Sequence, residues 1–338
     1  MSPDGPPVGV ATDARERVLE EIRSGAHFLL VTHEHPDGDA LGSLVAMHGV
    51  LTALGKDSLM FIAADELPLP YEYRFFDLDG MVSAPPADID SRVVIFLDCG
   101  NIDRTPVGAV KRDGSHILNV DHHHDNTLFG DVDLVVPAAS CTAEIVWDLM
   151  HELGVAPTRE IADALYVGLV TDTGKFMYEN TGPKAHRMAA DLIEAGVDTH
   201  DIYRRLYEGM PFAKLELLGR ALHHVVRDDG GRLTMTVLTR ADFDETGADD
   251  SLSEGVVDHL RSVEGTKVAA VVRELPGDDG RRKVSLRSTD GEVDVSAIAR
   301  EAGGGGHRQA AGLTTSMTDD EIVAFVREHI AAQLGAAG

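Results

Sequence analysis

The first half of the chain alternates short apolar runs with longer stretches of helical periodicity. The apolar runs predict strands at 27–32, 57–63, 92–98 and 116–121. Apolar residues at helical spacing, closed in each case by a glycine, predict helices at 40–55, 141–154, 159–174 and 183–196. Strands that alternate with helices form right-handed βαβ units, so we expect an α/β domain with a mostly parallel sheet flanked by helices.

The pattern changes after residue 200. Residues 201–225 form a long helical stretch interspersed with charges, after which strands are predicted at 232–239, 267–275 and 282–288 and a helix at 295–303. We therefore divide the chain into a flexible tail, a larger α/β domain, a helical connector and a smaller mixed-sheet α/β domain. Their predicted bounds are 1–12, 13–200, 201–222 and 223–335.

Composition limits the functions that this architecture can serve. The 338 residues carry a formal net charge of −27, from 57 acidic and 30 basic residues. Such a surface argues against coating a long nucleic acid, although bound cations and a few arginines can still attract a small anionic substrate. The chain shows no apolar run of about 18 residues and no signal peptide, so we expect no membrane span. Two cysteines, Cys99 and Cys141, make no disulfide framework and favour a reducing cytoplasm.

Acidic and imidazole side chains collect where the apolar runs end. They are, in chain order, His33, Asp37, Asp39, Asp98, Asp121, His122, His123 and Asp172. Because the carboxyl ends of parallel strands meet at one edge of an open sheet, we expect these groups to share one cleft.

Each of these residues also has an ordinary structural explanation. Asp39 could cap a helix, His33 could belong to a turn, and Cys99 beside Asp98 fits a core residue better than a zinc ligand. The coincidence of four such clusters argues for a site instead. Four crowded carboxylates need neutralisation, which two divalent cations would supply. Mixed Asp and His ligation suits Mn²⁺, with Zn²⁺, Fe²⁺ or Co²⁺ as alternatives.

Six motifs together carry a resemblance to a known family. The segments "HEHPDGD", "LDCG", "DHHHDN" and "GLVTDTGKF" resemble, in order and spacing, the four motifs of the DHH phosphoesterase superfamily. The segments "VSLRS" and "GGGGHRQAAG" resemble its companion DHHA1 domain. The resemblance covers about residues 15–335, and the domain order is similar to that of the branch that degrades very short RNAs and dephosphorylates pAp.

The resemblance implies a ligand set and a mechanism. One metal ion would be held by His33, Asp37 and Asp98, and a second by Asp39, Asp98, His122 and Asp172, with Asp98 bridging. A bridging hydroxide would attack phosphorus. His123 would contact the scissile phosphate and stabilise or protonate the leaving oxygen, so that His123 and Asp98 are the predicted catalytic residues. His35 and His124 fall on variable positions and are expected at the surface.

The DHHA1 resemblance implies where the substrate is held. The glycines at 303–306 would let the backbone approach a phosphate, with Gly304, Gly305, Gly306 and His307 donating to it. Arg287 and Ser288 would bind a second phosphate, and Arg104 is a weaker candidate for a phosphate contact. The active site would then occupy the cleft between the domains, which would measure substrate length. Cys141 stands where relatives are expected to carry a small hydroxyl residue.

The implied activity is a cytoplasmic, two-metal phosphoesterase. It would release 5′-mononucleotides from nanoRNA and from linear dinucleotides such as pApA, and would convert pAp to AMP. A cyclic di-AMP phosphodiesterase is the alternative within the family, and a non-catalytic nucleotide sensor is an alternative of another class. The "GGGGHRQAAG" segment argues against the manganese pyrophosphatases, and the length argues against the longer RecJ-type exonucleases. A homodimer formed through the first domain is also expected.

Overall fold

A computed structural model describes residues 8–105, 110, 115–277 and 280–335, without the side chains of residues 8–12 and 307. The chain divides into two compact units, Met1–Gly209 and Met210–Gly338. Each unit contains its own sheet. No helix among the described residues is long and apolar enough to cross a membrane.

The first unit contains a parallel sheet of six strands in the order β3-β2-β1-β4-β5-β6. The strands are β1 (His27–Val31), β2 (Asp57–Phe61), β3 (Met81–Val82), β4 (Val93–Leu97), β5 (His116–Asp121) and β6 (Val132–Val135). The predicted parallel sheet is confirmed. Strands β3 and β6 were not predicted, because two and four residues are too few to show a period.

The strand order reverses between β1 and β4. Chain connections run from β1 toward β2 and β3 on one side, and from β4 toward β5 and β6 on the other. Ligands of open α/β sheets bind beyond the carboxyl ends of the strands at such a reversal. The residues that follow β1 and β4 therefore lie at the position where this fold binds ligands.

The six described α-helices of the first unit all contribute to the larger of its two apolar clusters. They are α1 (Val8–Ser24), α2 (Gly38–Ala53), α3 (Thr142–Glu152), α4 (Arg159–Asp172), α5 (Pro183–Glu194) and α6 (Thr199–Tyr207). Phe28 and Leu30 belong to one apolar cluster, whereas Leu29 and Val31 belong to another, so alternate residues of β1 are buried on opposite faces. Residues 8–12, within the predicted tail, begin α1, and residues 1–7 lie outside the described part of the chain.

Small residues bring α2 and α4 into close contact. A Cβ atom on Gly42 would overlap the carbonyl oxygen of Ala164, and a Cβ atom on Gly168 would lie 2.8 Å from Asp39 Oδ1. Gly168 therefore leaves room for the Asp39 carboxylate beside α4.

The segment 201–225 contains two helices rather than one. Helix α6 ends at Tyr207, and α7 (Phe212–His223) begins after Pro211. Gly209 has a φ of 144°, and Pro211 has no N–H to donate, so a continuous helix is interrupted there. Helix α6 belongs to the first unit and α7 to the second.

The second unit contains a mixed sheet of six strands in the order β11-β12-β10-β9-β8-β7. The strands are β7 (Val226–Asp228), β8 (Leu233–Leu238), β9 (Val268–Glu274), β10 (Arg282–Ser288), β11 (Gly305–His307) and β12 (Ala310–Thr315). The helices after α7 are α8 (Arg240–Thr246), α9 (Val256–Arg261), α10 (Val295–Glu301) and α11 (Asp319–Gly335). Among the described strands of this second sheet, β8 and β9 pair in parallel and the other neighbours pair antiparallel. The predicted mixed sheet is therefore confirmed.

Candidate metal centre

The predicted ligands of the first unit converge into two adjacent groups. Donor atoms of His33, Asp37 and Asp98 lie within 4.8 Å of one another, as do those of Asp39, His122 and Asp172. Asp172 is the last residue of helix α4, within the helix predicted at 159–174. Asp39 lies in the first turn of α2, whereas Asp37 caps that helix by accepting from the Asp39 and Ala40 amides.

Asp98 lies between the two groups. Its Oδ2 is 3.7 Å from His33 Nε2, and its Oδ1 is 3.6 Å from His122 Nε2. His122 Nε2 is also 3.7 Å from Asp172 Oδ2. These separations are too long for hydrogen bonds and approach the spacing of about 3.0–3.4 Å that two ligands of one divalent ion adopt. Each oxygen of Asp98 therefore faces a different group, as a bridging ligand requires.

The backbone at Asp98 is strained. Its φ of 58° lies in the left-handed region, which is unfavourable for a residue with a side chain, and its N–H donates to the Val120 carbonyl at 3.1 Å. The Thr142 hydroxyl donates to Asp98 Oδ1 at 3.0 Å. Such strain is concentrated at functional sites, where surrounding contacts hold the residue in place.

The N-terminus of α3 holds Asp39. The amides of Thr142 and Ala143 donate to its two oxygens at 2.6 and 2.9 Å. Cys141 occupies the N-cap position of α3 but makes no capping hydrogen bond. Asp39 supplies the missing acceptors, which explains why a cysteine is tolerated at a position that favours hydroxyl side chains.

Sequence reasoning missed two residues that orient these ligands. Thr142 is fully buried and contacts both Asp39 and Asp98. Asn180 Nδ2 donates to Asp172 Oδ2 at 3.1 Å. The "SCTAE" segment offered a signal for Thr142, since a threonine after the N-cap can turn its hydroxyl into the site, but nothing in the sequence indicated Asn180.

The electrostatics of the two groups call for positive charge. Burial, followed by repulsion from Asp98 and Asp172, raises the pKa of Asp39 well above its usual range. Burial raises the pKa of Asp172 to about 6. The charge of His122 lowers this pKa, whereas repulsion from Asp98 and Asp37 raises it. Although burial opposes it, the contact with His33 and the charges of His123 and His122 hold the pKa of Asp98 below its usual range.

These observations fit divalent metal ions. The donor set is carboxylate and imidazole, the donors form two groups with one shared carboxylate, and the carboxylates repel one another without cations. The predicted ligands His33, Asp37, Asp39, Asp98, His122 and Asp172 are all brought together.

His123 is held differently from His122. Its Nδ1 lies 2.7 Å from Oδ1 of the fully buried Asp121 and 3.7 Å from Asp98 Oδ1. Burial acts against the charged form, but Asp121 and then Asp98 outweigh it and raise the pKa of His123 to about 9. Nδ1 of His123 is therefore engaged by Asp121.

The remaining candidates of the first unit lie around these groups. Arg104 follows the 98–101 loop, and its charge acts against the raised pKa of both His33 and His123, so it is within electrostatic reach of them. His35 is exposed and contacts Glu66 Oε2 at 3.0 Å, and His124 is exposed. Neither histidine belongs to a donor group among the described residues.

The glycine run of the second unit has structural causes at three of its four positions. Gly303 has a φ of 77°, and Gly304 N–H donates to the Ala299 carbonyl, which ends α10. A Cβ atom on Gly304 would lie 2.8 Å from Leu313 Cα, and one on Gly306 would lie 2.6 Å from Ala311 Cα. A Cβ atom on Gly305 would meet nothing within 4 Å. Only Gly305 therefore lacks a packing reason to be glycine.

Strand register places two further candidates in one row. Arg287 in β10 and His307 in β11 both pair with Ala310 of β12. The side chain of His307 lies outside the described part of the structure. Ser288 is fully buried, and its hydroxyl accepts from the Gly291 N–H, which gives it a role in the turn after β10.

Comparison with known proteins agrees with this geometry. The model of the DHH family, N-terminal domain, matches residues 27–169, and that of the DHHA1 domain matches residues 230–332. The chain is 35% identical, over 91% of its length and 90% of the relative's, to the bifunctional oligoribonuclease and PAP phosphatase NrnA of Thermus thermophilus. The chain belongs to the DHH family. By this membership it is a hydrolase.

Two further similarities are informative. The cyclic-di-AMP phosphodiesterase GdpP of Geobacillus thermodenitrificans is 26% identical over 96% of the chain, which covers 51% of that protein. An exopolyphosphatase-related protein from Bacteroides fragilis superposes with a TM-score of 0.82, at 23% identity, over 96% of this chain and 98% of the other. The second similarity shows that the fold is shared along nearly the whole chain.

Proposed function

We propose that this chain is a two-metal phosphoesterase acting on short nucleotides. Its reactions would be release of 5′-mononucleotides from nanoRNA and from linear dinucleotides such as pApA, and conversion of pAp to AMP. The observation that carries the proposal is Asp98, whose two oxygens face two different donor groups. The similarity to NrnA, named for both activities, supports the choice of substrates.

Different residues of the first unit would bind the cations and transfer the proton. His33, Asp37 and Asp98 would hold one cation, and Asp39, Asp98, His122 and Asp172 the other. Two such cations lower the pKa of a water molecule and offset the charge that develops on phosphorus. His123 presents Nε2 to the phosphate and gives a proton to the leaving oxygen, while Asp121 accepts from Nδ1 and stabilises the imidazolium.

Basic and glycine residues would bind the other phosphate oxygens. We propose contacts from Arg104, Arg287, His307 and the Gly305 N–H. Ser288 is left out because it is buried, and Gly304 and Gly306 are left out because packing against β12 accounts for their glycines. Bidentate arginine contacts give such a phosphate orientation as well as affinity.

We propose Mn²⁺ as the physiological metal, because mixed carboxylate and imidazole ligands suit it. A homodimer through the first unit is proposed from exposed apolar side chains there, among them Met177 at 81% and Tyr178 at 56% exposure. Light scattering at several concentrations measures the stoichiometry directly. The two free, buried cysteines suit a cytoplasmic location.

A product panel tests the activity. Chelator-stripped protein, with and without Mn²⁺, receives pAp, pApA, cyclic di-AMP, a five-residue RNA and a long single-stranded DNA. We expect metal-dependent mononucleotide release from the short substrates and little from the long strand. Nucleotide binding without turnover would identify a sensor instead, and fast cutting of the long strand would contradict the preference for short substrates.

The same panel tests a second candidate. Similarity to GdpP favours hydrolysis of a cyclic dinucleotide. If cyclic di-AMP is opened faster than pApA is cleaved, the cyclic substrate is the better assignment.

A further inference from the structure

Asn126 lies directly behind the Asp121–His123 pair. Its Nδ2 donates to Asp121 Oδ2 at 2.6 Å and to the Cys99 carbonyl at 3.3 Å. His123 Nδ1 lies 2.7 Å from the other oxygen, Asp121 Oδ1. Both oxygens of this fully buried carboxylate are therefore engaged, one by the histidine and one by the asparagine.

The orientation of the Asn126 amide follows from its other contacts. Its Oδ1 accepts from the Leu128 N–H at 2.7 Å and from Asn119 Nδ2 at 3.0 Å. A backbone N–H can only donate, so the Asn126 oxygen faces Leu128 and its NH₂ group faces Asp121. Asn119 Nδ2 also donates to Asp133 Oδ1 at 3.1 Å, which fixes the Asn119 amide in the same sense.

The orientation of the Asn126 amide affects His123 through Asp121. Asn126 engages Asp121 Oδ2, which leaves Asp121 Oδ1 to pair with His123 Nδ1. The position of Asp121 in turn sets the orientation of the His123 ring. Asp121 and Asn119 are fully buried, so water cannot readily replace a lost partner.

We propose that Asn126 is a positioning residue that fixes the ring orientation of His123 through Asp121. This inference rests on the proposed function, since His123 acts only if phosphate is transferred at the centre. The competing explanation is that Asn126 only holds its own loop, through Leu128 and Asn119.

The substitution Asn126→Asp separates the two explanations. It keeps the oxygen that accepts from Leu128 and Asn119, but it removes the NH₂ donor and places a second carboxylate against Asp121. Under alkaline assay conditions we expect kcat to fall about 10–100-fold, as for loss of other groups that orient a site's ligands, with KM and Mn²⁺ affinity little changed. The control is Asn101→Ala, whose side-chain oxygen accepts from the Asp103 N–H in the neighbouring turn.

A double-mutant cycle with His123→Ala supplies the second readout. If Asn126 acts through His123, then Asn126→Asp causes no further loss of kcat in the His123→Ala background. Losses that multiply, or a kcat for Asn126→Asp within twofold of that for Asn101→Ala, would overturn the proposal. Inactivity of the unsubstituted protein on the whole panel would instead overturn the proposed function, so the two failures are distinguishable.

Discussion

The candidate metal centre of the first unit and the glycine-rich strand of the second unit both follow from short motifs, but the structure accounts for their residues differently. In the first unit, both oxygens of Asp39 and Oδ1 of Asp98 accept hydrogen bonds from the buried residues Thr142 and Ala143. In the second unit, Gly304 and Gly306 are explained by the packing of β11 against β12. A residue that matches a functional motif is therefore stronger evidence for a binding or catalytic role where packing of the fold does not already require that residue.

Asp98→Asn tests the metal centre most severely. The substitution weakens the proposed ligand of both cations, so we expect activity on the short substrates to fall on the order of 10³-fold. Calorimetry should show weaker Mn²⁺ binding. Asp103→Asn, an exposed acid in the next turn, is the control and should retain activity. Activity of Asp98→Asn within tenfold of that control would remove the bridging role.

Thr142→Val tests whether the contacts around the ligands matter. The change removes the hydroxyl that donates to Asp98 but leaves the backbone amide that donates to Asp39. We expect a loss of about 10–100-fold in metal affinity or kcat, measured by Mn²⁺ titration and steady-state kinetics. Thr142→Ser keeps the hydroxyl and should behave like the unsubstituted protein. Equal behaviour of the valine and serine variants would show that the hydroxyl is dispensable.

Gly305→Ala and Gly304→Ala sharpen the contrast within the glycine run. Because a Cβ atom on Gly305 meets nothing nearby, alanine there should leave thermal stability unchanged. If Gly305 is close to a phosphate, the added Cβ atom would keep the phosphate away from the Gly305 N–H. The loss of that one charged hydrogen bond should raise KM for pAp about tenfold. Gly304→Ala should instead destabilise the protein by about 1–3 kcal/mol through overlap with β12. An unchanged KM for Gly305→Ala would leave the glycine run with a structural role alone.

The smallest of these expected effects is a dependence of the melting temperature of the metal-free protein on pH. Burial raises the pKa of Asp172 in the folded state to about 6, above its unfolded value of about 3.9. The folded state then binds the proton more tightly, so stability increases as the pH falls through about 6 toward 4. We expect a melting temperature a few degrees higher at pH 5 than at pH 7.5. Added Mn²⁺ should reverse this trend, and Asp172→Asn should weaken it. A melting temperature that falls between pH 7.5 and pH 5 would contradict the raised pKa.

By itself, the sequence determined the alternation of β1, β4 and β5 with helices and the residues that follow these strands. Hydrophobic periodicity and motif spacing are local, so they are readable without a structure. Short elements such as β3 and β6 escaped prediction because their pairing partners, rather than their own residues, make them strands.

Only the tertiary structure decided how those residues act together. The α3 amides that hold Asp39 and the Thr142 hydroxyl on Asp98 join positions far apart in the chain. Asn126 is close to Asp121 in the chain, but its proposed role depends on which oxygen of Asp121 it contacts. Hydrogen bonds are directional and depend on distances of a few tenths of an ångström, and no periodicity along a chain encodes such distances.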